Sequence, residues 1–304
     1  MHIVITGGAG FIGHHAVWRA LERGWTVSVL DNFSTGKLEN LVLPSDRIPA
    51  GLTIYECDIA EGPLPDIKDI DYLLHLAAPV SVEESISNPE KYYKGISLAS
   101  RRIFTWAKER SCTNIVAAST AAIYGDSEDV PFSETTQVDP MSPYAENKLE
   151  MESILKDYHS KTLNCTALRF FNVFGEGQPD DVGYVSAIPI FKKQYEAYSP
   201  ITVTGDGLQT RDFVYVEDVV DVCYRVMESP VNSMKLSDMG IFNIGSGEET
   251  QILDIAEAFG GEIVHVDPRE EQKRALADIS LIRTYTNWKP TMNVLEWIKE
   301  QKNA

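Results

Sequence analysis

His2-Ile3-Val4-Ile5-Thr6-Gly7-Gly8-Ala9-Gly10-Phe11-Ile12-Gly13 opens the chain, and its reading decides the fold. A short apolar, β-rich run ends at Thr6. Glycines then follow in a G-x-x-G-x-x-G pattern, and a helix-like segment continues to about Arg23. Thr26-Val27-Ser28-Val29-Leu30-Asp31 is the next strand and ends on an acid. Strand, glycine turn, helix, strand and acid together make this glycine pattern meaningful. Gly7 permits the tight exit from the strand, Gly10 lets the backbone approach a pyrophosphate, and Gly13 allows close helix packing. The N–H groups of the helix start, at Phe11 and Ile12, then face the phosphates. Asp31 lies 18 residues after Gly13, where a carboxylate binds a ribose 2′-OH. It would repel a 2′-phosphate, so NAD is expected over NADP.

The alternation continues. Leu52-Thr53-Ile54-Tyr55-Glu56-Cys57-Asp58 reads as a third strand, with Asp58 reaching toward an adenine edge. Asp71 to Ala78 reads as a fourth, running into a small-residue turn (Leu76, Ala77, Ala78) beside the cofactor. His75 within it reads as a satisfied core histidine. Residues 81–110 look helical, and Asn114-Ile115-Val116-Ala117-Ala118 is a fifth strand. It opens into Ser119-Thr120-Ala121-Ala122, at a carboxyl end where open α/β sheets bind ligands. Cys165 to Phe171 is a sixth strand, and the rhythm loosens after Asn172. Short strands at 201–203 and 210–214 and helices at 217–228, 251–259 and 292–302 remain. The expected architecture is α/β: a Rossmann-type doubly wound parallel sheet over residues 1–172, with a returning segment near 213–245. A smaller C-terminal α/β substrate cap takes the rest of 173–304. Arg211 and Arg269 in that cap suit a diphosphate through paired donors.

Met141-Ser142-Pro143-Tyr144-Ala145-Glu146-Asn147-Lys148 is where chemistry is expected. Pro143 suits the first turn of a helix, which puts Tyr144 and Lys148 on one face. A free tyrosine, with a pKa of about 10, is a poor base at neutral pH. A nearby ammonium favours the phenolate, so the pair could take a proton from an alcohol.

Composition narrows the classes. The 304 residues carry a formal charge of −18, which argues against a nucleic-acid backbone as partner. Four scattered cysteines, Cys57, Cys112, Cys165 and Cys223, read as reduced and mostly buried. The six histidines form no metal-ligating pattern, so no metal is expected. No apolar stretch approaches the roughly 20 residues of a membrane span, and the first residues enter a strand without a leader-like run. A cytoplasmic location is expected.

With these residues in place, the chain resembles the extended short-chain dehydrogenase/reductase family, most closely its UDP-glucose (UDP-galactose) 4-epimerase branch. The likeness rests on Thr6 to Gly13, Asp31-Asn32-Phe33-Ser34-Thr35-Gly36, Asp58-Ile59, His75-Leu76-Ala77-Ala78 and Ser119-Thr120. It continues through Ser142 to Lys148, Arg169-Phe170-Phe171-Asn172, Arg211-Asp212-Phe213, Leu276-Ala277-Asp278 and Trp288-Lys289-Pro290. The resemblance implies NAD held along Gly7, Gly10, Phe11, Ile12, Gly13, Asp31, Asn32, Ser34, Thr35, Gly36, Asp58, Ile59, Leu76, Ala77, Ala78, Ser119 and Phe171. Tyr144 and Lys148 would stand at the reacting end. It implies that Tyr144 takes the proton of a sugar 4-OH, with Thr120 hydrogen-bonded to the same oxygen. Hydride would pass to NAD and return to the other face of a 4-keto sugar. Asn172, Arg211 and Arg269 would hold the nucleotide diphosphate of a UDP-hexose, and a homodimer would form through helices near 88–110 and 144–160.

Related dehydratases carry Asp-Glu after the threonine, and related decarboxylases an acid at the second position. Ala121 and Ala122 stand there in this chain, and neither transfers protons. The family's Asn-Val-x-Gly-Thr stretch reads Ile96-Ser97-Leu98-Ala99-Ser100, Val80 replaces a small polar residue or lysine, and a Pro-x-Arg-x-Gly-Asp element is shortened to Pro268-Arg269-Glu270-Glu271. The alternatives left open are another NDP-sugar epimerase, dehydratase or dehydrogenase, and a non-catalytic NAD(P)-binding sensor.

Overall fold

A computed structural model describes residues 1–127, 129–180, 186–229, 240–268 and 272–303. Six strands come first: β1 (His2–Thr6), β2 (Thr26–Asp31), β3 (Leu52–Glu56), β4 (Tyr72–His75), β5 (Asn114–Thr120) and β6 (Asn164–Phe170). Among them lie α1 (Phe11–Glu22), α2 (Val82–Ser87), α3 (Pro89–Tyr92), α4 (Ala99–Lys108) and α5 (Pro143–Tyr158). The remaining strands are β7 (Asn172–Phe174), β8 (Ile201–Thr204), β9 (Thr210–Tyr215), β10 (Gly240–Ile244), β11 (Glu249–Gln251) and β12 (Ile263–Val266). The remaining helices are α6 (Ala187–Glu196), α7 (Val216–Glu228), α8 (Ile252–Phe259), α9 (Ser280–Thr286) and α10 (Val294–Asn303). The chain divides into two compact units: Met1–Thr120, Ser142–Arg169 and Val220–Phe242 in one, Ala121–Met141, Phe170–Val219 and Asn243–Ala304 in the other.

The main sheet has the order β10-β6-β5-β4-β1-β2-β3. This is the doubly wound Rossmann arrangement, in which the order reverses between β1 and β4. β1 pairs in parallel with both neighbours, so Thr6 lies opposite Leu30 on one side and His75 on the other. Ile3, Val4, Ile5, Val27, Val29 and Leu30 are fully buried. Helices cover both faces of such a sheet, so its strands read as continuous apolar runs and not as alternation. α1 turns Gly13, Ala16, Val17 and Ala20 inward. A Cβ at Gly13 would lie 2.0 Å from the Gly7 carbonyl oxygen, which is why only glycine lets the helix sit on the turn. Leu73, Ile103, Phe104, Ile115, Met151 and Leu155 build the core of this unit.

The continuous helix expected over 81–110 is broken. Ser81 caps α2 by accepting from the Glu84 N–H, and Asn88 leaves the helical region before Pro89, which opens α3. A residue before proline is pushed out of the α region by the ring. A π-turn over Tyr93–Leu98 then joins α3 to α4. It brings Ser97 against α5, where its hydroxyl donates to Asn147 Oδ1 at 2.7 Å. The third strand is shorter than expected, ending at Glu56, and the fourth ends at His75, where the small-residue turn begins. α5 begins as predicted: Ser142 Oγ accepts from the Ala145 N–H, and Pro143 takes the first position.

In the second unit β9 runs between a parallel β7 and an antiparallel β11, and β8 pairs in parallel with β12. Phe174, Phe191, Phe213, Phe259 and Trp297 form its core. Asp212, fully buried, accepts from the N–H groups of Ser246, Gly247 and Ala277 and ties three segments together.

Candidate active site

The first unit gathers its polar side chains at the carboxyl ends of β1, β2, β4 and β5, around the point where the strand order reverses. The loop after β2 folds onto the glycine turn. Asp31 Oδ2 accepts from the Ala9 N–H at 2.9 Å, Asp31 Oδ1 from the Phe33 N–H at 2.8 Å, and the Lys37 N–H donates to the Ala9 carbonyl. Asn32 donates through Nδ2 to Asp58 and accepts the Ser34 N–H, which joins the ends of β2 and β3. Asp58 also accepts the Ala60 N–H, while Ile59 is buried in the core. Gly36 packs so closely on Ala9 that a Cβ would stand 2.8 Å from the alanine methyl. Thr35 lies exposed beside it.

This cradle fits a dinucleotide. α1 starts at Gly10 with no capping side chain and no acid in its first turn, so the N–H groups at Phe11 and Ile12 present positive charge to an anion. A carboxylate has about four lone-pair directions. Asp31 gives one to the glycine turn and one to its own loop, which leaves acceptors for a ribose. Leu76 and Ala77 follow β4 with their N–H groups bonded to Thr6, and Ala78 is partly buried after them.

His75 is a core histidine, as the sequence predicts. Thr6 Oγ1 lies 2.8 Å from Nδ1 and Ser100 Oγ 3.0 Å from Nε2. Burial, with the nearby Lys148 charge, pushes its pKa down to about 3.

Thr120, Tyr144 and Lys148 come together in the same unit. Thr120 ends β5 and its hydroxyl is hydrogen-bonded to the half-buried Tyr144 phenol. Lys148, one turn further along α5, is buried and donates from Nζ to the Ala118 carbonyl at 2.7 Å. Burial lowers its pKa to about 8, opposed by the Glu152 carboxylate. The expectation that the ammonium leaves Tyr144 more acidic is not met by the protein's own groups. Burial pushes the phenol above its ordinary value, and the Thr120 hydrogen bond opposes this only in part.

Ser119 is turned inward and donates to Glu152 Oε1, so its hydroxyl is committed within the protein. Glu152 is a buried residue that motif reading passed over, and its partner Arg169 stood in the Arg169-Phe170-Phe171-Asn172 motif without a role assigned to it. Their signal was present: Tyr144, Lys148 and Glu152 recur at four-residue steps, and Arg169 interrupts an otherwise uncharged strand.

In the second unit, Phe171 is buried, and Asn172 donates to the Asp212 carbonyl oxygen. Arg211 lies next along β9 and donates to the Thr210 carbonyl. Arg269 lies outside the described residues. Among the described residues the cysteines are free and three of the four are buried, and no helix is long and apolar enough to cross a membrane.

The model of the NAD dependent epimerase/dehydratase family matches residues 3–245. The chain belongs to this family. NAD is therefore its cofactor, and the protein is an enzyme of the extended short-chain dehydrogenase/reductase type. It is 32% identical to a UDP-N-acetylglucosamine 4-epimerase from Methanobrevibacter ruminantium, solved in complex with UDP-N-acetylmuramic acid, with a TM-score of 0.88 over 98% of this chain and 96% of that one. It is 30% identical to a UDP-glucose 4-epimerase from Thermotoga maritima, solved with UDP-glucose, with a TM-score of 0.85 and the same coverage. A UDP-glucuronic acid decarboxylase of Arabidopsis thaliana is 32% identical over 311 residues, 97% of this chain and 68% of that protein.

Proposed function

We propose that this family member is a nucleotide-sugar 4-epimerase acting on the UDP-glucose/UDP-galactose pair. The reading is carried by the Thr120–Tyr144 hydroxyl pair, backed by a buried lysine and followed in the chain by two alanines instead of acids. Epimerisation at a carbinol carbon needs one group to take and return the hydroxyl proton. Elimination or decarboxylation by the family's route uses an acid that Ala121 and Ala122 do not supply.

In this reading Thr120 holds the C4 oxygen of the sugar, and Tyr144 removes its proton as the carbon is oxidised. Lys148 stabilises the phenolate by its charge. NAD, when bound, would supply the hydride acceptor and donor that oxidation and re-reduction at C4 require. Tyr144 then gives the proton back, so the net reaction is redox-neutral. Asn172 and Arg211, in the second unit, are the donors proposed for the nucleotide diphosphate, with Arg269. The same reading includes a cytoplasmic homodimer built on helices near 88–110 and 144–160, which sedimentation checks.

The test is incubation of purified protein with UDP-glucose, followed by NMR of the anomeric and H4 signals. UDP-galactose should accumulate to an equilibrium mixture without added NAD. The UDP-N-acetylhexosamine pair is the second substrate to try, because the Methanobrevibacter relative carries that name. Failure with every UDP-hexose pair, with NAD still bound, would overturn this reading in favour of another NDP-sugar reaction of the family.

A further inference from the structure

Behind Lys148 the first unit buries an ion pair that the proposed reaction does not employ. Glu152 stands one turn beyond Lys148 on α5. Its carboxylate takes three donors: Ser119 Oγ and Arg169 Nε (3.0 Å) at Oε1, and Arg169 Nη2 (2.9 Å) at Oε2. Glu152 is 3% exposed, Arg169 4% and Lys148 6%. Replacing such a pair by apolar side chains of equal volume is often neutral or stabilising. Stability alone therefore does not account for its being here.

Placement does. The donors to Glu152 come from β5 and β6, and the residue it serves on its own helix is Lys148. Through Ser119 it also grips the residue before Thr120. We propose that Glu152, clamped by Arg169, is a positioning residue of this site: it holds Lys148 as a cation and fixes the end of β5 that presents Thr120. The inference rests on the functional reading above.

The charges around Lys148 support it. Tyr144 lies on the same helix, His75 on β4 is close enough for the Lys148 charge to help keep it neutral, and Arg169 on β6 is paired with Glu152. From β5 come the Ala118 carbonyl, which accepts from Lys148, and the Ser119 hydroxyl, which donates to Glu152. Glu152 is the anion among them and works against the burial that strips Lys148 of its proton.

The test uses the NAD-loaded protein with Glu152→Gln and with the double variant Glu152→Met/Arg169→Met, which leaves no lone buried charge. In both, the pH at which the kcat/KM profile stops rising should move down by about one unit or more, and the rate at pH 8 should fall about fivefold or more. KM for the nucleotide sugar should stay within about twofold. Carbon-13 NMR of the lysine Cε signals, with Lys148 assigned by its loss in Lys148→Met, should show the same downward shift with no substrate present. A folded double variant whose profile stops rising at the wild-type pH and whose Lys148 titrates as in the wild type overturns the proposal and leaves the pair purely structural. Should the wild type turn over no UDP-hexose, the functional reading fails and the NMR titration alone decides this inference.

Discussion

Lys148 Nζ donates to the main-chain carbonyl of Ala118 across 2.7 Å, which ties the site's cation to β5. Ala118 precedes Ser119 and Thr120, so one amine serves both the charge near Tyr144 and the position of the strand end that carries Thr120. Helix and strand are thereby held in register at the place where the chemistry is proposed.

The burial of Lys148 sets the pH dependence. Burial holds Lys148 at about 8, and it must stay protonated to act as a cation. On the acid side the phenolate population of Tyr144 grows as pH rises. With the phenol above its ordinary value, the kcat/KM profile should rise with pH and level off as pH passes through about 8, where loss of the Lys148 proton cancels the gain in phenolate. A stopped assay of UDP-hexose interconversion checks it, and a rate still climbing well above that point contradicts the role given to Lys148.

Tyr144→Phe keeps the ring and removes the proton acceptor. The expected loss in kcat is about 10²- to 10⁴-fold. Bound NAD, measured by absorbance after acid release, should be unchanged. An unaltered kcat would place the base elsewhere.

Two glycines of the opening turn should separate binding from folding. A Cβ at Gly10 meets only the Gly7 carbonyl oxygen, at 3.2 Å, whereas one at Gly13 comes within 2.0 Å of the same atom. Gly10→Ala should fold with a Tm near wild type yet bind NAD about tenfold or more weakly, because the methyl occupies the phosphate approach. Gly13→Ala should lose several degrees of Tm or fail to fold, since the helix must shift as a body. Calorimetry with and without NAD reads both.

His75 should make the fold acid-sensitive. Its ordinary pKa is 6.5 and burial lowers it to about 3, so the unfolded chain takes up a proton before the folded one does. The stability tied to this group is complete above pH 6.5 and is lost as pH falls toward about 3, at about 1.4 kcal/mol per pH unit. His75→Gln should therefore lose about 2 kcal/mol less than wild type between pH 7 and 5. Denaturant midpoints at the two pH values test this. Equal losses would assign the acid sensitivity to the carboxylates.

Much of this protein was determined by local pattern. The glycine turn between β1 and α1, the acid ending β2 and the Ser-Pro start of α5 each need only a few adjacent residues, because strand period, helix capping and turn geometry are short-range properties. The Rossmann order follows once those units are chained. The helical spacing likewise told that Tyr144 and Lys148 share a face. It could not tell what covers that face. The tertiary structure alone decided that Lys148 meets the Ala118 carbonyl, that Glu152 receives Ser119 and Arg169, and that Ser97 of the π-turn meets Asn147 on α5. It also reversed the expected direction for Tyr144, since burial outweighs its hydrogen bond. The physical reason is common to all four. Desolvation and charge pairing depend on which distant segments close over a group, and periodicity along one segment carries no record of its neighbours.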